Sequence, residues 1–180
     1  MNIVKVYVLL YREDDPSKNT ALKMIRAGLA VSINKRSFKG NPLVLNPYSQ
    51  EILGQWFKEH VEKHGVLVVD ASWRRLDRYK FRSIKGIHVK LPPLLPGNPV
   101  NYGKPCILSS IEAVAAALYI MGFHDVYRKL LGLYKWMSTF HSLNIELLES
   151  YSSAKNSEEL TNIITTYWGT LNPCYNLQYD

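Results

Sequence analysis

Val66, Leu67, Val68 and Val69 form an unbroken apolar run that stops at Asp70. Successive side chains of a strand point to opposite faces, so such a run needs both faces covered, as in the interior of a parallel sheet. Parallel neighbours in turn require crossover segments, normally helices. The flanking residues supply both kinds of element. Residues 3–11 alternate Val4, Val6 and Val8 with Ile3, Lys5 and Tyr7, which predicts a second strand with largely buried faces. After a turn at Asp14, Asp15 and Pro16, residues 20–32 predict a helix. Leu22, Ile25 and Leu29, with Ile33 beyond, stand at helical spacing, and Lys23 and Arg26 lie on the wet side. Residues 42–45 read as a short strand ending at Asn46 and Pro47, and Ser49 as the cap of a helix over 51–64 that Gly65 terminates. Strand and helix alternate, so the N-terminal part is α/β.

Residues 91–103 hold four prolines and two glycines, which excludes a helix or a central strand. Leu91, Leu94, Leu95, Val100 and Tyr102 make this stretch too apolar for a solvated linker, so it is expected to pack on a core. A brief strand over 106–108 follows. Ser109 and Glu112 form a capping box ahead of an alanine-rich helix over 113–121, whose small side chains let a strand or a ligand approach closely. Helices are expected over 124–133, 135–151 and 157–168, the last opened by Asn156 with Glu159 three residues on. Cys106 and Cys174 have no partner at metal-ligand spacing and allow at most one bridge, so no disulfide framework is indicated.

The formal charge of +7 is unevenly distributed. Residues 1–107 carry 18 bases against 8 acids and residues 108–180 carry 4 against 7, so the excess is N-terminal. It peaks where Arg74, Arg75, Arg78, Lys80, Arg82, Lys85 and Lys90 face the single acid Asp77, with Trp73, Tyr79 and Phe81 interleaved. Bases can neutralise phosphates while aromatic faces stack on unpaired bases, which makes Arg74, Arg75, Arg78, Lys80 and Arg82 candidates for RNA binding. The alternative is a solvated surface loop.

No glycine-rich phosphate loop, paired-cysteine motif or histidine pair with a catalytic glutamate occurs. A metal enzyme is therefore not expected, nor is a serine or cysteine hydrolase. Asp70 stands out because it ends an apolar strand, where open α/β sheets place their ligands. It reads either as an acid or base in a site or as a cap on the following turn.

From Asp70, Ala71, Ser72 and Trp73, through Leu91 and Pro92, to the unbroken Asn98, Pro99, Val100, Asn101, Tyr102, Gly103, Lys104 and Pro105, the chain resembles the small-subunit rRNA aminocarboxypropyltransferases. Leu108, Ser109, Glu112 and Ala113 continue the likeness, and Asp15, Pro16, Thr20, Pro47 and Ser49 add weaker support. The resemblance implies a small N-terminal α/β domain over 1–70 and a knotted, SPOUT-like methyltransferase domain over 71–180 with extra C-terminal helices. It also implies transfer of the 3-amino-3-carboxypropyl group of S-adenosyl-L-methionine to a uridine or pseudouridine-derived nucleotide of small-subunit rRNA during ribosome biogenesis.

By the same resemblance, Thr20 contacts the methionine end of the cofactor and the Val69 backbone holds the ribose. Leu45, Pro47 and Trp73 surround the adenine or the methyl group. Leu91, Cys106, Leu108, Ser109 and Ser110 supply backbone and hydroxyl contacts, and Asp70 is the acid or base at the target nucleobase. Two alternatives remain: a SPOUT-type rRNA methyltransferase, and a non-catalytic RNA-binding factor of ribosome assembly. With no apolar stretch of spanning length and no leader pattern, the expected location is the cytoplasm, without membrane or metal partners.

Overall fold

The computed structural model describes residues 3–13 and 15–174. Among these, five strands form one parallel sheet: β1 (Val6–Leu10), β2 (Val31–Ser32), β3 (Leu43–Leu45), β4 (Val66–Asp70) and β5 (Ile87–Val89). Their order is β2-β1-β4-β3-β5. The helices are α1 (Thr20–Arg26), α2 (Lys58–His64), α3 (Ser110–Ile120), α4 (His124–Leu131), α5 (Met137–Ser153) and α6 (Ser157–Trp168). The apolar run is the central strand. β4 pairs with β1 along its length, from Val66 opposite Val6 to Asp70 opposite Leu10, and with β3 on its other edge.

Both faces of that strand are covered, by different means. Val6, Val8, Leu43, Leu45, Val66 and Val68 point into the main core, where they meet residues of all six helices. Leu9, Val44 and Leu67 point the other way and meet Phe81 and Ile84, with Leu76 packed alongside. Those three residues come from the basic segment. It forms two 3-10 turns, Trp73–Arg75 and Arg78–Phe81, and lies over the second face of the sheet as an anchored layer.

The two central strands send the chain in opposite directions. From β1 it passes through α1 to β2 on one edge, and from β4 it passes to β5 on the other. Such a reversal opens a crevice beyond the carboxyl ends of the two strands, the place where open α/β sheets take ligands. Asp70 ends β4 at this point. β5 pairs with β3, so the sheet draws strands from both sides of the 70/71 junction.

Several element bounds differ from expectation. The helix expected to reach residue 32 stops at Arg26. Gly28 takes φ 72°, and the bonds Gly28 N to Ile25 O and Leu29 N to Met24 O close a Schellman turn that frees the chain to enter β2. Ala21 and Met24, rather than Leu22, form the fully buried face of α1. Ser49 is not a helix cap, since its Oγ donates to His88 O, and α2 begins only at Lys58 after a 3-10 turn over Gln55–Phe57. Residues 106–108 are not a strand. Asp14, assigned to the first turn, lies outside the described residues. The capping box of Ser109 and Glu112 and the Asn156 cap of α6 are both present.

The stretch 91–98 has no regular structure but is ordered by burial and hydrogen bonds. Glu112, fully buried on α3, accepts from Gly97 N, Asn98 N, Asn98 Nδ2, Ser109 N and Ser109 Oγ at 2.7–3.0 Å. Asn144 of α5 accepts from Leu95 N and donates to Leu95 O, and Tyr151 Oη donates to Pro93 O. The chain passes so close to α5 that a Cβ on Gly97 would stand 2.4 Å from Phe140 N. Alanines 115, 116 and 117 of α3 are fully buried, and the helix packs against β4, α1, α4 and α5. Cys106 and Cys174 form the one disulfide that two cysteines permit.

Candidate functional site

A cleft of about 1100 Å³ opens at the carboxyl ends of β3 and β4. Its walls come from the starts of α1 and α3, the segment after β3, the turn after β4, the ordered loop and the α4–α5 turn. Thr20, Leu45, Pro47, Val69, Asp70, Trp73, Leu91, Cys106, Leu108, Ser109 and Ser110 all line it. Residues up to 90 positions apart are thus brought to one place by the sheet reversal and by the loop held on Glu112.

Asp70 is 8% exposed. Its Oδ2 accepts from Asn19 Nδ2 at 2.7 Å and its Oδ1 from Ser110 Oγ at 2.8 Å. Asn19 is also the N-cap of α1, accepting from Leu22 N, and Ser110 is the first residue of α3. A second bond joins the two helix starts, from Ile111 N to Thr20 Oγ1 at 3.2 Å. The carboxylate therefore joins β4 to two helix N-termini, whose dipoles favour an anion there. It does not cap the turn that follows it. A carboxylate has about four lone-pair sites, so roughly two remain after these bonds.

Trp73 closes one wall. Its Nε1 donates to Leu108 O at 2.9 Å and ties the turn after β4 to the segment before α3. On the other side, Asn46 N donates to Val89 O and Asn46 Oδ1 accepts from Tyr48 N, which fixes the backbone around Pro47. Cys106 donates its backbone N–H to Leu94 O and has φ 69°; its sulfur is in the bridge to Cys174, which also lines the cleft. Lysines 18, 90 and 104 and Arg74 line the cleft against two acids, Asp15 and Asp70. Burial pulls the Lys90 ammonium below the usual lysine range.

The five basic residues assigned to RNA are not equivalent. Arg74, Arg75, Arg78 and Arg82 are exposed. Arg78 lies over the Tyr48 ring and Arg82 over the Tyr79 ring, at 5.6 and 5.0 Å from their centroids. Lys80 instead turns inward, its ammonium 3.1 Å from Glu13 Oε1 and 4.8 Å from the Tyr11 centroid. Glu13 also lies 3.8 Å from Arg75. An acid 67 residues away thus partly neutralises a stretch that holds only one acid of its own.

Sequence reasoning missed Asn19, Glu112 as the anchor of the loop, Asn144, and the pair Tyr134 and Trp136 in the α4–α5 turn, which also line the cleft. The one available signal was a lone polar residue within an apolar helical pattern, as at Glu112 and Asn144. Among the described residues, no three or more His, Cys, Asp or Glu side chains gather as metal ligands, and no helix is long and apolar enough to cross a membrane.

Comparison with known proteins extends these observations. The family described as "Ribosome biogenesis protein, C-terminal" matches residues 43–168. The 16S rRNA aminocarboxypropyltransferase of Methanosphaera stadtmanae is 39% identical over 170 residues, covering 93% of this chain and 99% of the relative. That of Methanocaldococcus jannaschii is 41% identical, with 88% and 93% covered. The solved structure of the SAM-dependent rRNA:acp-transferase Tsr3 from Vulcanisaeta distributa superposes with a TM-score of 0.82 at 34% identity, covering 99% of this chain and 100% of that one. The matches span nearly the whole length of each partner and take in both the strand end at Asp70 and the ordered loop, so the chain belongs to the 16S rRNA aminocarboxypropyltransferase family.

Proposed function

We propose that the protein transfers a 3-amino-3-carboxypropyl group from S-adenosylmethionine to a uridine or pseudouridine-derived nucleotide of small-subunit rRNA. The observation that carries this reading is the convergence of eleven residues on one cleft at the sheet reversal, around a carboxylate with acceptor capacity to spare. The cleft suits this cofactor. Leu45, Pro47 and Trp73 offer apolar surface for the adenosyl part, and Thr20 and Ser110 offer hydroxyls at two helix starts for the amino-acid end. When bound, S-adenosylmethionine supplies the group by cleavage of its sulfur–γ-carbon bond, and methylthioadenosine leaves.

The chain's own residues do the positioning, which for a well-aligned pair is worth about 7–11 kcal/mol of the barrier. Trp73, fixed by its bond to Leu108 O, would lie against the cofactor's methyl and leave the γ-carbon open to the base. Asp70, held by Asn19 and Ser110, takes the proton that the base nitrogen releases as the new N–C bond forms. Arg74, Arg75 and Arg82 lie on the layer next to the cleft and hold the RNA backbone. Arg78 joins them from above Tyr48, whereas Lys80 acts through its contact with Glu13. This reading also includes a division of labour at 70/71 and a knotted, SPOUT-like course for the C-terminal part. Residues 1–70 furnish four strands and the α1 start, and 71–180 furnish the loop, α3 and the helical wall. The location is cytoplasmic, with ribosomal RNA.

The test uses S-adenosylmethionine labelled in the carboxypropyl carbons, incubated with protein and small-subunit RNA. Label entering the RNA with release of methylthioadenosine is the expected outcome. Release of S-adenosylhomocysteine would assign methyl transfer instead. RNA binding with neither product, and no thermal stabilisation by the cofactor, would leave a binding factor.

A further inference from the structure

An enzyme acting on a nucleobase must hold that base apart from its neighbours, and an aromatic face is the usual means of holding an unpaired base. Tyr134 and Trp136 flank Lys135 in the turn between α4 and α5. Their rings stack with centroids 4.9 Å apart and planes inclined by 26°. Both are partly buried against the main core, and both line the cleft. Lys23 of α1 carries its ammonium 5.6 Å from the Tyr134 centroid.

Three observations separate this pair from ordinary core packing. Tyr151 and Phe140 are fully enclosed, and of the aromatics that pack only partly against the main core, Tyr134 and Trp136 are the two that line the cleft. Trp73 and Trp168 donate their indole N–H to Leu108 O and Tyr151 Oη, whereas among the described residues Trp136, like Trp56, makes no such bond, and of these two only Trp136 lines the cleft. Finally, the pair sits beside α1, which leads toward the β2 edge of the sheet, while Leu45 and Pro47 follow β3 toward the β5 edge. Asp70, on β4 and bonded to the residue that caps α1, lies between the two ends.

We propose that Tyr134 and Trp136 form the platform on which the target pyrimidine stacks, at the end of the cleft opposite the apolar wall for the adenosyl group. The inference rests on the RNA-directed reading above and adds the residues that receive the base.

The experiment compares binding of a uridine octamer with an octamer of the same length lacking all bases, in wild type, Trp136→Ala and Trp136→Phe. A stacked base is worth about 5- to 150-fold in affinity, from ~1–3 kcal/mol. Wild type should prefer the uridine octamer at least fivefold, Trp136→Ala should lose that preference, and Trp136→Phe should keep most of it. In all three proteins, thermal stabilisation by S-adenosylmethionine should be equal. A preference unchanged in Trp136→Ala, or absent from wild type, overturns the platform. Loss of cofactor stabilisation in Trp136→Ala also overturns it and assigns the ring to the cofactor. Transfer to small-subunit RNA by wild type is measured alongside: its absence counts against the enzymatic reading, whereas the octamer comparison is decided by base stacking alone.

Discussion

Two regions of this protein are each organised around one buried carboxylate, and the two carboxylates differ in how far the protein itself satisfies them. Glu112 is wholly enclosed and receives five donors, more than the roughly four lone pairs a carboxylate offers, so at least one lone pair is shared. Nothing is left for a ligand. Asp70 receives two donors, one on each oxygen, and borders the cleft. Burial alone therefore does not separate the two; the number of protein donors already in place does. The saturated carboxylate builds the wall of the site, and the half-satisfied one borders the cleft with the acceptor capacity that the proposed base role requires.

Removing Glu112 should produce the largest effect. In Glu112→Ala, the buried amides of Gly97 and Asn98 and the half-buried amide of Ser109 at the cleft edge lose their acceptor. Each buried donor left unpaired costs about 1–3 kcal/mol. Partial relaxation of the loop reduces the sum, and a loss of about 4 kcal/mol or more is expected in denaturant unfolding, with hydrogen exchange of residues 91–103 rising first. A loss under about 1 kcal/mol would show that the loop is held by its apolar residues instead.

Gly97→Ala tests the same wall from the other side and should rank second. The added methyl would meet Phe140 N at 2.4 Å and Phe140 Cα at 2.7 Å, and both are backbone atoms of a long helix that cannot rotate away. Overpacking of this kind costs about 1–3 kcal/mol. Because the loop rather than the sheet must move, stabilisation by S-adenosylmethionine should fall more than the unfolding midpoint does. If both change in proportion, the loop is not the element that yields.

The same contrast explains what was legible in the sequence. The region around Asp70 depends on short-range patterns: an apolar run that demanded two covered faces, and a polar residue ending it. Both are readable within five residues. The capping box at Ser109 was readable for the same reason. The loop was recognisable as packed from its leucines, but its anchors were not, because Glu112 reaches back 15 residues to Gly97 and Asn144 reaches 49 to Leu95. Periodicity carries no information at that range. α1 was drawn too long because Leu29 and Ile33 keep helical spacing after the chain has left the helix at Gly28. The inward turn of Lys80 depends on Glu13, which local charge counting could not supply. Tyr134 and Trp136 sit in a turn between helices, where no pattern marks a residue as facing a cleft.

Asp70→Asn is expected to change stability least and to be the most informative about function. The amide is nearly the same size and can keep both contacts, with Oδ1 accepting from Asn19 Nδ2 and Nδ2 donating to Ser110 Oγ, which can turn to accept. The favourable placement of a negative charge beside two helix starts is lost, worth about 0.3–1 kcal/mol at each. The unfolding free energy should therefore fall by no more than about 2 kcal/mol. Cofactor affinity should stay within a few-fold, because Thr20, Ser110 and the apolar wall are untouched. Transfer should drop far more, by about 100-fold or greater, since a positioned general base contributes roughly 10²–10⁴ and an amide cannot take a proton. The decisive measurement is the transfer rate at saturating cofactor and RNA, set beside the unfolding midpoint of the same preparation. A rate that falls only as far as the fraction folded would make Asp70 a clamp like Glu112, and the difference between the two carboxylates would then be one of degree.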